Sequence, residues 1–132
     1  MSKKGKSHIL VCLSSSPSND TLIETAFKLA QQANADFSAV YASTDKNLSS
    51  QDQQRLQRHM KKAEQLGAKV AVIYGQDVAT QIAEFAHLSR VTTIVIGRSI
   101  QKTRFFWKEE SLSESLLRLV WDIDVLVVVD RE

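Results

Sequence analysis

Apolar residues along this chain fall into two alternating patterns. Short dense runs of strand length are separated by stretches in which apolar positions recur at helical spacing, and that alternation predicts a βαβ architecture. The first run, Ile9-Leu10-Val11-Cys12-Leu13, predicts a strand over about 8–13. Leu22, Ala26, Leu29, Ala30 and Ala33 then lie on one face of a helix. Ser18 or Asn19 can cap that helix, and Asp20 suits its positive end. A second strand is expected at about 36–42 and a second helix at about 50–66, with Ser50 and Gln53 as a capping box and Gly67 as the stop. Arg55, Arg58, Lys61 and Lys62 mark its solvated side. A third strand at about 69–74 ends at Gly75. Asp77 caps a third helix with Val78, Ile82, Ala83 and Ala86 inward. A fourth strand spans about 92–97. After a loop of some dozen residues, Ser111 opens a fourth helix with Leu112, Leu116, Leu119 and Val120 inward, and Trp121 extends this buried face. The fifth strand spans about 123–129.

Five strands joined by helical crossovers give a five-stranded parallel open sheet with helices on both faces. Ligands in such sheets bind beyond the carboxyl ends of the strands, where the winding reverses. Two polar loops leave strand ends here: Ser14-Ser15-Ser16-Pro17-Ser18 and Gly97-Arg98-Ser99. They flank one crevice if strands one and four are neighbours, an adjacency that periodicity alone does not fix.

At 132 residues, 43% of them hydrophobic, the chain is one domain with a core. Residues 1–6, with Lys3, Lys4, Gly5 and Lys6, read as a tail or linker, and 7–132 as the domain. A net charge of +2 does not argue for nucleic acid. No apolar run is long enough to span a bilayer. The single cysteine, Cys12, has no internal disulfide partner, which suits a reducing cytoplasm. Within an apolar strand it packs rather than reacts.

The site residues suit anion binding rather than catalysis. The serine loop ends at a helix N-terminus, where free N–H groups and the dipole favour a phosphate; the alternative is a plain turn with helix caps. From Arg98 to Lys108 the chain carries Arg98, Lys102, Arg104 and Lys108 and no acid. Arg98, leaving the strand end directly, can grip phosphate with two N–H groups; Lys102 and Lys108 read as solvated. Phe105, Phe106 and Trp107 either stack on a base, with Trp107 foremost, or pack elsewhere. Ser111, with Glu114 three residues on, is a helix cap that can also meet a phosphate. His8, His59 and His87 fall at a strand start, a polar helix face and a helix end, without metal-ligand spacing. No nucleophile elbow or P-loop is present, so no catalytic residue, metal or cofactor is expected.

Ile9 to Leu13, the serine loop, Gly75-Gln76-Asp77-Val78, Thr93 to Ser99 and Asp122-Ile123-Asp124-Val125 resemble universal stress protein domains. More narrowly, they resemble the cytoplasmic modules of that family found in Kdp potassium-sensor histidine kinases. The resemblance covers roughly 7–130 and implies strand order 3-2-1-4-5. Kinase modules of this type that bind cyclic di-AMP carry Ser-x-Ser, twenty residues, then Phe-Thr-Ala-x-Tyr. This chain has Ser14-Ser15-Ser16, residues 17–36, then Phe37-Ser38-Ala39-Val40-Tyr41, with Ser38 keeping the hydroxyl. The resemblance implies a cyclic di-AMP site: Ser14 and Ser16 on phosphate, Tyr41 with the backbone of Ala39 and Val40 on adenine, and Gly97, Arg98 and Ser99 closing the phosphate side. Phe37 and Tyr41 share a strand face but stand about 13 Å apart at roughly 3.3 Å per residue, so Phe37 is expected in the core. Such a module would sense osmotic or potassium stress for the other domains of a membrane-bound kinase, without touching the membrane itself.

Two alternatives stand beside this. ATP-binding members of the family carry Gly, two residues, Gly, nine residues, Gly, then Ser or Thr; Gly97 and Ser111 fit, but Ile100 and Glu110 replace the other two glycines, which argues against ATP. Alternatively, Val125 to Val129 forms an apolar edge strand that invites homodimerisation without a ligand.

Overall fold

The structure, a computed structural model, describes residues 6–14, 19–43, 48–99 and 112–130, with only the backbone of Ser99 and Asp130. Among the described residues nine elements follow in order: β1 (His8–Cys12), α1 (Asn19–Ala33), β2 (Asp36–Ser43), α2 (Ser50–Gln65), β3 (Lys69–Tyr74), α3 (Val78–Leu88), β4 (Thr93–Ser99), α4 (Leu112–Leu119) and β5 (Asp124–Asp130). All four strand pairings are parallel and the sheet order is β3-β2-β1-β4-β5, as the resemblance implied.

Strand side chains alternate between two helical layers because successive residues point to opposite faces. Ile9, Val11, Phe37, Ala39 and Val95 meet Leu22, Ile23, Ala26 and Ala30 of α1 and Leu56 and Ala63 of α2. On the other face Leu10, Cys12, Val40, Ile94 and Ile96 meet Ile82, Ala83 and Ala86 of α3 and Leu116 and Val120 at α4. The central strands are apolar at both parities since both faces are covered. Phe37 is buried and packs at a tilt on Phe27, with ring centroids 6.2 Å apart.

Several local expectations need correction. The buried stripe of α1 includes Ile23, whereas Ala33 is exposed at the helix end, where Asn34 (φ 51°) turns the chain toward β2. The cap of α2 is Ser49, not Ser50: its side chain accepts the Asp52 N–H, while Gln53 donates to the Leu48 carbonyl rather than completing a box with Ser50. Gly67 (φ 100°) does follow the helix end, in the left-handed conformation that glycine tolerates. Asp77 precedes α3, but its carboxylate accepts from the Thr80 hydroxyl (2.6 Å) and caps no backbone N–H. Leu119 is 41% exposed and Trp121 86% exposed, because the inward positions of this stretch are Leu116, Val120 and Ile123.

His59 departs furthest from expectation. It is buried, not solvated, on the Leu56–Ala63 side of α2. His87, expected at a helix end, bonds Asp122 through Nε2 at 3.0 Å, joining the end of α3 to the turn before β5. Ser38 is buried at the opposite end of the sheet from the serine loop. The His8 ring donates from Nδ1 to the Ser89 carbonyl (2.9 Å), which leaves Nε2 to accept from the Ser38 hydroxyl (2.7 Å). The hydroxyl of the Phe-Ser-Ala-x-Tyr segment thus locks β2 to β1 inside the fold.

Candidate functional site

Because β1 lies between β2 and β4, the chain leaves β1 toward the α1–α2 layer and β4 toward the α3–α4 layer. The crevice expected at such a switch point is present: a cleft of about 290 Å³ beyond the carboxyl ends of β1, β2 and β4. Its polar edge holds Ser14, Asn19, Arg98 and the half-buried Tyr41, with Gly97 of β4 facing α1. Its apolar wall comes from both layers, with Leu22 of α1 on one side and Val78, Ile82 and Leu112 of α3 and α4 on the other, over Val40 and Ile96. An apolar slot with a few convergent polar groups at one rim is the form small-molecule sites take.

Gly97 lets Leu22 of α1 lie close against β4. A methyl group there would stand 3.3 Å from Leu22 Cδ2, tight enough to displace that side chain by a few tenths of an ångström. Cys12 also lines the cleft, and burial pushes its thiol up to about 12, so it stays protonated and unreactive at neutral pH.

Five of the expected site residues therefore meet: Ser14, Val40, Tyr41, Gly97 and Arg98. Ala39 does not join them; it is fully buried on the α1–α2 face. The Val40 carbonyl accepts the Leu13 N–H at 2.8 Å, tying β1 to β2 where the cleft begins. Ser99 extends β4 with its backbone opposite Asp130. Ser16, Trp107 and Ser111 lie outside the described residues, as do Ser18, Lys102, Arg104, Phe105, Phe106 and Lys108.

Sequence reasoning considered Asn19 only as a helix cap. In the structure it opens α1, is 3% exposed and turns its side chain back onto the serine loop. Its Oδ1 accepts the Ser14 N–H at 2.6 Å and its Nδ2 donates to the Ser14 hydroxyl at 3.2 Å. The signal was an amide placed where the loop must be fixed. An amide can both accept and donate, and Ser14 presents one group of each kind. Around this point Lys62 of α2 reaches Glu24 (2.6 Å) and Asp20 (3.7 Å) of α1. The hydrogen bond to Glu24, followed by the charges around it, raises the Lys62 ammonium above its usual range. Among the described residues no cluster of His, Cys, Asp or Glu is placed to hold a metal. None of the described helices is long and apolar enough to cross a membrane.

Fold and cleft define a doubly wound α/β domain with a ligand crevice at its switch point. The Universal stress protein family matches residues 6–129, and the chain belongs to that family. It is 34% identical over 95 residues to the sensor protein KdpD of Clostridium acetobutylicum, covering 72% of this chain and 11% of that protein. The Escherichia coli sensor protein KdpD is 26% identical over 126 residues, 93% of this chain and 14% of that protein. The matched stretches thus span only 11% and 14% of the length of these relatives. Among solved structures, a universal stress protein in complex with cAMP superposes with a TM-score of 0.74 at 18% identity, covering 97% of this chain and all of the other. One from Archaeoglobus fulgidus in complex with dAMP gives 0.60 at 15% identity, over 95% and 98%. At these identities the likeness is one of fold.

Proposed function

We propose that residues 7–132 form the nucleotide-sensing module of a bacterial potassium or osmotic-stress sensor kinase, that its ligand is cyclic di-AMP, and that it performs no chemistry itself. The observation that carries this reading is the convergence of Ser14, Tyr41, Gly97 and Arg98 on one cleft with an apolar wall. The spacing from Ser14 and Ser16 to Phe37 and Tyr41, and the likeness to KdpD sensor proteins, support the choice of ligand and of parent protein. In this reading the purine enters between Leu22 and Ile82. Tyr41 borders it, and phosphate meets Arg98 and the hydroxyls of Ser14 and Ser16. Ser99, Trp107 and Ser111 complete the phosphate and base contacts. The module acts in the cytoplasm and passes its signal to the other domains of the kinase.

Calorimetric titration of the chain with cyclic di-AMP tests this. A folded variant carrying Ser14→Ala with Ser16→Ala, and separately Tyr41→Ala, is expected to bind ten- to hundred-fold more weakly. That is the scale of losing a hydrogen bond to a charged group, about 1.5–3 kcal/mol. An unchanged isotherm in the folded double-serine variant removes the assignment.

Cleft size favours a second reading. About 290 Å³ sits at the lower end of the roughly 300–1,000 Å³ usual for ligand sites, enough for one nucleotide unit of a cyclic dinucleotide. A mononucleotide such as ATP fills it alone, and structural neighbours are described in complex with cAMP and dAMP. ATP displacing cyclic di-AMP at equal concentration decides for this second reading.

A further inference from the structure

We propose that His59 is a positioning residue for the nucleotide cleft: its ring holds the Ser14 carbonyl and thereby sets how Ser14 faces the ligand. This rests on the reading of the cleft as a nucleotide site, although His59 itself does not line it. The side chain is 4% exposed and reaches out of α2, forty-five residues away in sequence, to bring Nδ1 within 3.1 Å of the Ser14 carbonyl oxygen. A carbonyl can only accept, so Nδ1 carries the proton. Ser14 is thus held from two directions. Asn19 of α1 accepts its N–H, and His59 of α2 donates to its C=O. With both backbone polar groups engaged, and the hydroxyl bonded to Asn19, the orientation of Ser14 is set before any ligand arrives.

The other ring nitrogen gives this role a charge setting. Nε2 lies 3.9 Å from Asp20 Oδ1, beyond hydrogen-bond range, and that carboxylate also lies 3.7 Å from Lys62 Nζ. Leu56 and Ala63, the neighbours of His59 on the same face of α2, are buried and apolar. A residue needed only to fill this space would be a hydrocarbon. A buried imidazole instead extends a donor from α2 to the Ser14 carbonyl, and it is the ring's own buried N–H that would be costly to leave unpaired.

The experiment combines one spectrum of the native protein with three variants. Long-range proton–nitrogen correlation on the unliganded protein should show His59 with a proton on Nδ1; a ring protonated only on Nε2 overturns the proposal. His59→Asn puts an amide N–H close to where Nδ1–H stood, whereas His59→Gln moves the donor outward and His59→Phe removes it. In cyclic di-AMP titrations of folded protein, the Asn variant is expected within about threefold of native, and the Gln and Phe variants at least tenfold weaker. Equal affinities in all, or an Asn variant as weak as Phe, overturn the positioning role. A merely structural role would lower stability without rescue by Asn.

If the native chain binds neither cyclic di-AMP nor ATP, the nucleotide reading fails. The proposal about His59 is then still decided by the tautomer and by amide exchange at Ser14. Faster Ser14 exchange in Gln and Phe but not in Asn supports it, and unchanged exchange in all three overturns it.

Discussion

Replacing Asn19 separates folding from binding at this site. Asn19→Ala removes the 2.6 Å bond from the Ser14 N–H and the 3.2 Å bond to its hydroxyl. Each such bond contributes about 0.5–1.5 kcal/mol net, so the pair is worth about 1–3 kcal/mol. Ser14 is on the exposed side of the loop, where water can take over part of both roles, which moves the expectation to about 1–2 kcal/mol. With a urea slope of about 2 kcal/mol/M, the unfolding midpoint should fall by roughly 0.5–1 M. Asn19→Asp keeps the acceptor for the Ser14 N–H and loses only the donor. A carboxylate at the first residue of α1 is also favoured by the helix dipole, so its stability should lie between native and Asn19→Ala. For a phosphate ligand the order reverses at the bottom, because the introduced carboxylate would set a negative charge on the cleft wall. Stability should thus rank native, Asp variant, Ala variant, and affinity native, Ala variant, Asp variant, measured by urea unfolding and by titration of the same preparations. Identical rank orders in the two assays, or a midpoint for Asn19→Ala within about 0.2 M of native, refute the account of Asn19 as the tether of an anion-binding loop.

Cys12 should be alkylated about a thousandfold more slowly at pH 8 in the folded chain than in urea. Its thiol is raised from 9.0 to about 12, which cuts the thiolate fraction by that factor; comparable rates contradict the burial. The same shift has a sign: the folded state keeps a proton that the unfolded state releases, so stability is full below about pH 9 and declines as pH rises toward 12. For Asp122 the sign is opposite. The hydrogen bond from His87 holds its carboxyl below 3.8, so the stability it contributes is present above that value and lost as pH falls through the folded value. The gap in unfolding midpoint between native and Asp122→Asn should therefore close in acid. Leu116→Ala, at a fully buried position, should cost about 2–5 kcal/mol and lower the melting temperature by about 10 °C or more. Trp121→Ala, at an exposed one, should stay within about 0.5 kcal/mol.

Strands and helices were legible because a parallel sheet covered on both faces writes its strands as unbroken apolar runs, and β1 and β4 are of that kind. Strand order was not legible from periodicity. It came through the resemblance, because nothing in the alternation of apolar residues says which strands are neighbours. Where sequence and structure differ, the reasons differ from residue to residue. His59 was assigned to the polar side of α2 for its chemistry. Yet it lies three residues after the buried Leu56 and four before the buried Ala63, which is core spacing. Trp121 continues the inward face of α4 only if the helix goes on, and the helix ends two residues earlier. At adjacent Ser49 and Ser50 the sequence offers two equivalent caps, and the loop's approach selects the first. Asn19 was invisible as a tether because its partner is the backbone of Ser14, and a sequence does not display backbone direction.

The placement of the cleft bears on how a ligand would be felt elsewhere. Its polar rim is fixed by α1 and, through His59, by α2, while much of its apolar wall belongs to α3 and α4 on the other side of the sheet. The two helical layers are joined mainly through the strands between them. A molecule in the cleft bridges Leu22 on one side and Val78, Ile82 and Leu112 on the other. Ligand at a hundred times its dissociation constant contributes about 2.7 kcal/mol to the folded state. Here that stabilisation falls on the relative position of the two layers rather than within either. Under the proposed function, a bound ligand would act by changing how firmly α1 and α2 are held against α3 and α4.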